Sequence, residues 1–589
     1  MPVPDFRERS MSETTRRFAE VADAATEGVR SGAVSRGSRR GSRLASYVYQ
    51  RLFGLQSPST RRVAVEQDVP IRMPDGVVLR ADRWMPESVE VTADLPVVLI
   101  RTPYTRKGVW AGVCRSYAER GFQAVIVSSR GTFGSGGGPF VAMKYEHDDG
   151  LAVIEWIKSQ PWYGGRIVLA GESYVGYTQW AVAADAPADV VAMSPHITSS
   201  RLVRTFMVTG TPQLDIALRW SVLMATQERP GAFLRTMLGL GRKRIAAAMN
   251  SVPLTNADRS ALGQTWQFFQ DVARHPFEDP MWSPWDYSAD VAGVTVPASL
   301  FANWYDPFLV DQVADFTALQ DAGRDARLTV GPWVHESAAG LGASVRETLD
   351  WSELHAGLAT RSPERSRVRL YVMGEGRWRD FDSWPPKGFE PVKWYLHGPG
   401  ALRANVPPAG TPGVTEPSGY RYDPTDPSPT VGGRLLAIGA GRKNNRRVEA
   451  RADVLTFTSE VLNADLDVIG ELSAEIWMSS SRPNSDLFVR LCDVDERGRS
   501  WNVSDGLANV RIRGEAPGRP RLVTVPIAPT AQRFLRGHRI RVQVSGGSHP
   551  MYARNSGTDE NVGTASRLFP ADQRIYHDPD HPSAILLPQ

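Results

Sequence analysis

Cysteine is nearly absent from this chain: Cys114 and Cys492 are the two in 589 residues. That excludes a disulfide framework and a cysteine metal cluster. No apolar run approaches the ~18 residues of a membrane-crossing helix, so no transmembrane segment is expected. The start, MPVPDFRERSMSETTRR, mixes acids with its basic residues and no apolar segment follows it. A secretory leader is therefore not expected, and a cytoplasmic address fits best. Lysine is missing from residues 1–62, which carry twelve Arg and six acids; the net charge of the whole chain is +4, so the remainder is slightly acidic. The basic balance is local, and it does not argue for nucleic-acid binding by a folded domain.

What is present describes a soluble globular protein, 42% apolar and 22% charged. Its length calls for roughly three or four folding units. Residues 1–60 read as a basic, partly flexible extension. Within it, SGAVSRGSRRGSR (31–43) has nothing to bury, and LASYVYQRLFGL (44–55) puts Leu44, Tyr47, Val48, Leu52 and Leu55 on one helical face. Removal of residues 1–58 is expected to leave soluble activity nearly intact. Residues 62–84 read as a β-hairpin around the turn PDG. Continuous apolar runs follow at 95–100, 122–128, 166–170, 190–194, 296–303 and 327–331, with helical periodicity between the second and third. Such runs imply a parallel sheet covered on both faces. The stretch from about 199 to 290 reads as helices, including SALGQTWQFFQDVARH (260–275), and suggests a cap over the strand ends. From about 390, short β-like runs separated by Gly, Pro and Asp suggest a β-sandwich or jelly roll.

One stretch carries the chemical question: AGESYVGYTQW, residues 170–180. An exposed nucleophile on a strand-to-helix turn follows the pattern G-x-S-x-G. Here Val175 occupies the second glycine position and Gly176 comes one residue late. Ser173 nevertheless has a β-run before it and an Ala-rich helical stretch after it. A serine needs a base and a group to orient that base. Asp306 follows one apolar run, in WYDPF, and His335 follows the next, in PWVHE. The order Ser, Asp, His is that of the α/β-hydrolase fold.

These segments resemble the cocaine esterase and X-prolyl dipeptidyl-peptidase family of serine hydrolases, which also contains α-amino-acid ester hydrolases. Its nucleophile pattern, G-x-S-Y-x-G, is matched by GESYVG at each fixed position, so the late glycine is a family trait. NWYDPF and GPWVH resemble its acid and base segments, RTPYTR its oxyanion tyrosine segment, WRDFDSWPP the segment closing its catalytic domain, and YHDPDHPSAILLP its C-terminus. The similarity begins near residue 62. The resemblance implies an α/β-hydrolase domain with an inserted helical cap, followed by a C-terminal jelly-roll β-domain. The corresponding ranges are 61–198 plus 291–389 for the catalytic domain, 199–290 for the cap and 390–589 for the β-domain. It also implies that Ser173 is the nucleophile, His335 the base and Asp306 the acid that holds it. The Tyr104 hydroxyl and the Tyr174 backbone N–H would form the oxyanion hole, with Phe308 lining the acyl pocket.

The activity so implied is cofactor-free, metal-free hydrolysis of a small carboxylic ester, by a monomer or homodimer. The same machinery could instead release X-prolyl dipeptides or cleave α-amino esters, given an acid for the substrate amine; the cap offers Asp215, Glu228, Asp271, Glu278 and Asp279. A hydrolase scaffold reused for binding is the third reading. Haloalkane dehalogenation is disfavoured, because it wants Asp at position 173. In VIVSSRGTFGSGG, Ser128 and Ser129 stand where the family usually has an acid, so the bonding of Arg130 is expected to differ. GSGGGPF (134–140) lacks the Gly-Lys-Ser of a phosphate loop and reads as mobile. HDPDH (577–581) reads as a structural turn, EHDD (146–149) as acids opening a helix, and His196 as packing beside the site.

Overall fold

The computed structural model describes residues 35–36, 39–87, 94–231, 241–359, 365–408, 416–436, 439–512 and 518–589. One sheet of eleven strands forms the first half: β1 (Ser35–Arg36), β2 (Val63–Arg72), β3 (Val78–Pro86), β4 (Val97–Thr102), β5 (Gln123–Ser128), β6 (Ile167–Glu172), β7 (Val190–His196), β8 (Ala298–Tyr305), β9 (Ala326–Val334), β10 (Val368–Val372) and β11 (Arg377–Phe381). Their order across the sheet is β1-β2-β3-β5-β4-β6-β7-β8-β9-β10-β11. Strands β4 to β10 run parallel, while the β2–β3 hairpin joins β5 antiparallel. The PDG turn closes that hairpin, with Gly76 at φ +85°.

Strands β4, β5 and β8 are buried along their whole length because helices cover both faces. Val97 and Leu99 enter one core and Val98 and Ile100 the other, the period-two alternation of a strand. The covering helices are α1 (Arg39–Phe53), α2 (Val109–Ala118), α3 (Glu146–Lys158), α4 (Tyr174–Ala183), α9 (Leu309–Asp321) and α10 (Ala338–His355), with four cap helices among the described residues, α5 to α8, between them. The strand order reverses around β4, leaving a crevice beyond the carboxyl ends of β4 and β6. Open α/β sheets bind ligands in such a crevice.

The extension before residue 61 departs from the sequence reading. Residues 1–34 lie outside the described residues, but the Gly-Ser-Arg run read as flexible is already helical from Arg39. The buried face of this segment differs in part from the expected one, since Leu55 is buried and Leu52 packs beside it as expected. Leu44 and Tyr47 are exposed, whereas Tyr49 and Phe53 sit in the core with Val113, Cys114 and Tyr117. Arg61 stacks on the outward ring of Tyr47, its guanidinium carbon 4.0 Å from the ring centroid, which gives that tyrosine a partner without burial. The α1 backbone passes so close to α10 that a Cβ on Gly342 would lie 3.2 Å from Phe53 Cα.

In the cap lie α5 (Leu214–Thr226), α6 (Arg242–Ala248), α7 (Ala257–Leu262) and α8 (Gln267–Arg274). The stretch 260–275, read as one helix, is broken: Gly263 at φ +81° ends α7 and the chain resumes as α8. Cap residues Leu214, Trp220 and Phe268 share a core with Tyr174 and Tyr177 of α4, and with Ala553 and Val562 far along the chain. The C-terminal half is a β-sandwich of long antiparallel strands. Leu466–Ser480 pairs with Arg521–Phe534, and Asn484–Val494 lies between Ser500–Arg511 and Arg539–Ser545. Strand Ala584–Pro588 inserts between Pro391–His397 and Leu466–Ser480 and is hydrogen-bonded to both.

Candidate active site

Ser173 links the end of β6 to the start of α4 and has φ +59° and ψ −129°. A side-chain-bearing residue in that region is strained, and such strain gathers at functional turns. Here it lifts the hydroxyl out of the sheet. The glycines follow from close approach. A Cβ on Gly171 would lie 2.2 Å from Val175 Cγ1, and one on Gly176 would lie 2.6 Å from Thr198 Cγ2. Position 176, rather than 175, faces the neighbouring β7 segment, while Val175 points into the core and is fully buried. The late glycine therefore stands where the helix needs it.

His335 follows β9 and Asp306 follows β8. The imidazole Nε2 lies 3.1 Å from Ser173 Oγ, and Nδ1 lies 2.8 Å from Asp306 Oδ2. Asp306 is fully buried, and its second oxygen accepts the Phe308 backbone N–H at 2.9 Å. Burial alone would lower the basicity of His335. The carboxylates of Asp306, Glu336 and Glu172 outweigh it, and the imidazole pKa is raised above its ordinary value.

Tyr104, just past β4, directs its phenol to the same point. Burial pushes its pKa up to about 12, against hydrogen bonds with Trp220 and Ser173 that lower it. Trp220 of α5 donates its indole N–H to the phenol oxygen at 3.0 Å. Tyr174 opens α4, where the first N–H groups of a helix have no intrahelical acceptor. Its side chain is fixed, accepting the Met143 N–H at 2.6 Å and donating to Glu146 at 3.1 Å.

These groups open on a pocket enclosing ≈ 860 Å³ of empty space, with the open solvent at its mouth included. The walls come from three parts of the chain: Leu202, Phe206, Ile216 and Trp220 from the cap segment, Phe308 beside His335, and Leu436 from the β-rich half. The Phe308 ring lies 5.4 Å from the imidazole. None of the five cap acids lines this pocket. Asp215 is buried against Arg219 at 2.6 Å and accepts the Leu436 N–H, Asp271 accepts from Gln267, and Asp279 caps its own helix beside His275. Glu228 and Glu278 are exposed. The acids that do line it are Glu172 and Glu336, one residue before the serine and one after the histidine. That adjacency was the available signal. Trp220 and Leu436 were also missed, and no local pattern marks them.

The other candidates lie apart from the pocket. His196 is buried, its imidazole held by Ser344 at 2.7 Å and its pKa lowered to about 3 by desolvation. It meets the site through its backbone carbonyl, which accepts the Ser173 N–H. GSGGGPF is pinned rather than loose: Gly131 bonds Gly136, Gly136 bonds Val78, and Phe140 packs on the Tyr174 ring at 5.8 Å. Arg130 is held by Asp149 and Asp75, and Ser129 donates to Glu146. In HDPDH, Asp578 and His581 bond each other across a turn. Among the described residues no group of three or more His, Cys, Asp or Glu could hold a metal ion. Nor is any helix there long and apolar enough to cross a membrane.

Residues 75–337 match the family described as X-Pro dipeptidyl-peptidase (S15 family), and residues 363–586 match the X-Pro dipeptidyl-peptidase C-terminal non-catalytic domain. Cocaine esterase of Rhodococcus sp. (strain MB1 Bresler) is 32% identical, over 89% of this chain and 98% of its own length. Among solved structures, an α-amino acid ester hydrolase superposes with a TM-score of 0.74 at 21% identity, covering 89% of this chain and 96% of that one. An aminopeptidase from the marine sediment archaeon Thaumarchaeota archaeon gives 0.73 at 21% identity, covering 88% and 95%. Both share the fold.

Proposed function

The chain belongs to the S15 family that includes cocaine esterase, and from that premise we propose that it cleaves small carboxylic esters through an acyl-enzyme on Ser173. The observation that carries this reading is the unbroken line Asp306–His335–Ser173, with contacts of 2.8 and 3.1 Å. His335 takes the serine proton as Oγ attacks the carbonyl carbon and returns it to the departing alcohol. Asp306 fixes the tautomer that leaves Nε2 free to accept, and stabilises the imidazolium. Charge then develops on the carbonyl oxygen, where the Tyr104 hydroxyl and the Tyr174 N–H donate. Aimed donors of this kind are worth about 3–4 kcal/mol each. Water repeats the sequence on the acyl-enzyme.

Ester chemistry is favoured over X-Pro release by the apolar wall around Phe206, Trp220 and Phe308, which none of the five cap acids joins. The catalytic domain in this reading is 61–198 plus 291–389, with 199–290 as cap and 390–589 as a jelly-roll partner that completes the wall. The test compares kcat/KM for a short-chain p-nitrophenyl ester and an X-Pro anilide, with Ser173→Ala as the blank. Ester turnover that vanishes in the variant is expected. Full turnover in Ser173→Ala, or anilide cleavage outrunning ester cleavage, overturns the reading.

A further inference from the structure

Glu172 ends β6 one residue before the nucleophile, and it lines two spaces at once. On one side is the catalytic pocket. On the other is a cavity of ≈ 280 Å³, open solvent at its mouth included, walled by Ile100, Val113, Tyr117, Leu341 and Val345. Its Oε1 is buried and has no hydrogen-bond partner among the described residues. No Arg or Lys among them pairs with it. A buried carboxylate without a cation costs the fold stability. Yet the group is aimed. The Ser344 hydroxyl of α10 bonds the carboxyl, and that hydroxyl lies 2.7 Å from His196 Nδ1, with Thr348 Oγ1 3.3 Å from the same nitrogen.

The titratable groups facing Glu172 are His335 after β9, Asp306 after β8 and Tyr117 of α2, whose phenol is kept neutral by its own burial. Burial raises the Glu172 pKa to about 7, and charge on His335 lowers it. In return, the Glu172 carboxylate raises the pKa of His335. These are one attraction seen from its two ends. Glu336 acts on the same imidazole, but from an exposed position where water screens it.

Among the described residues, then, the cation that comes to face Glu172 is the imidazolium that His335 becomes as it takes the Ser173 proton. An attraction that strengthens while this charge appears stabilises the transition state more than the resting enzyme. We propose that Glu172 is a second positioning carboxylate for His335, held by Ser344 and His196, which stabilises the imidazolium from the β6 side as Asp306 does from the β8 side. It moves no proton itself. The proposal rests on the triad of the ester-hydrolase reading, and it holds for whatever acyl group reaches Ser173.

The test follows Ser173 with an ester and without one. Two rates are measured against pH on the full chain: kcat/KM for p-nitrophenyl acetate, and covalent labelling of Ser173 by a fluorophosphonate, which needs the same base but no ester. Glu172→Gln keeps the size of the side chain and removes its charge. It is expected to lower both plateau rates about tenfold and to move both acid limbs down by about half a pH unit. Glu172→Asp is expected to recover part of each effect. Ser344→Ala is expected to cost about threefold alone and nothing further beside Glu172→Gln, because it acts through that carboxylate. An acid limb that Glu172→Gln leaves in place, or a plateau rate held within about twofold, overturns the proposal. So does a Glu172→Gln chain that fails to fold, since the carboxylate then serves the fold. Labelling that shows the expected pattern in a chain that cleaves no ester overturns the ester reading and keeps the proposal, whereas a Ser173 that neither reagent reaches overturns both.

Discussion

Tyr104 is the donor most exposed to test, because a side chain rather than the backbone supplies it. Tyr104→Phe is expected to lower kcat by roughly 10²–10³, the effect of losing one oxyanion donor. Trp220→Phe removes the hydrogen bond that aims the phenol, about 1 kcal/mol, together with part of a ring that lines the pocket, and a drop of at least about fivefold is expected. Steady-state kinetics on the two variants check both. The pH profile carries a sign as well. Hydrolysis needs neutral His335, and its raised pKa keeps it protonated to a higher pH than an ordinary imidazole. The acid limb of kcat/KM is therefore expected above the usual imidazole value, and Glu336→Gln, which removes one raising charge, is expected to move it down. Ser173, Asp306 and His335 were legible because each ends a β-run, and a parallel sheet brings its strand ends to one edge. Trp220 and Leu436 were not, since only the packing of the cap and the β-rich half delivers them there.

The strands were the most readable elements, since burial on both faces writes itself as an unbroken apolar run. Helix faces were less so. Of the stripe read at 44, 47, 48, 52 and 55, Leu52 and Leu55 reach the core, while Leu44 and Tyr47 stay outside and the body of the protein takes up Tyr49 and Phe53. That changes an expectation. Removing residues 1–58 would strip Tyr49 from Gly112, where a Cβ would lie 2.2 Å from the ring, and would uncover α2 and α10. Loss of soluble protein is now expected, and Phe53→Ala alone is expected to cost about 3–5 kcal/mol. Solubility of the truncated chain and a thermal melt of the point variant decide it. The break at Gly263 in the cap shows the other difficulty: an apolar period continued through a glycine whose φ ends the helix.

At the scale of the whole molecule, the cap is held from two sides. Its inner face packs on α4, and its far end meets the β-rich half, where the Thr255 N–H bonds the Gly563 carbonyl at 3.0 Å and Asn561 donates to the Arg274 carbonyl at 2.9 Å. A Cβ on Gly563 would lie 1.8 Å from the Ala273 carbonyl oxygen, so these backbones are in direct contact. Gly563→Ala is expected to destabilise by about 1–3 kcal/mol. It should also lower kcat/KM, because the cap and Leu436 share a pocket wall; a melt and ester kinetics on the same preparation read both effects. The order in which the chain leaves the ribosome matters here. Ser173, Asp306 and His335 are all translated before residue 340, yet Leu436 lines the pocket, Ala553 and Val562 pack in the core of the cap, and the β-rich half takes Ala584–Pro588 between two earlier strands. A nascent chain stalled at residue 500, which holds every catalytic group but lacks Ala553, Val562 and the last strand, is therefore expected to hydrolyse no ester, and an assay on stalled complexes checks it.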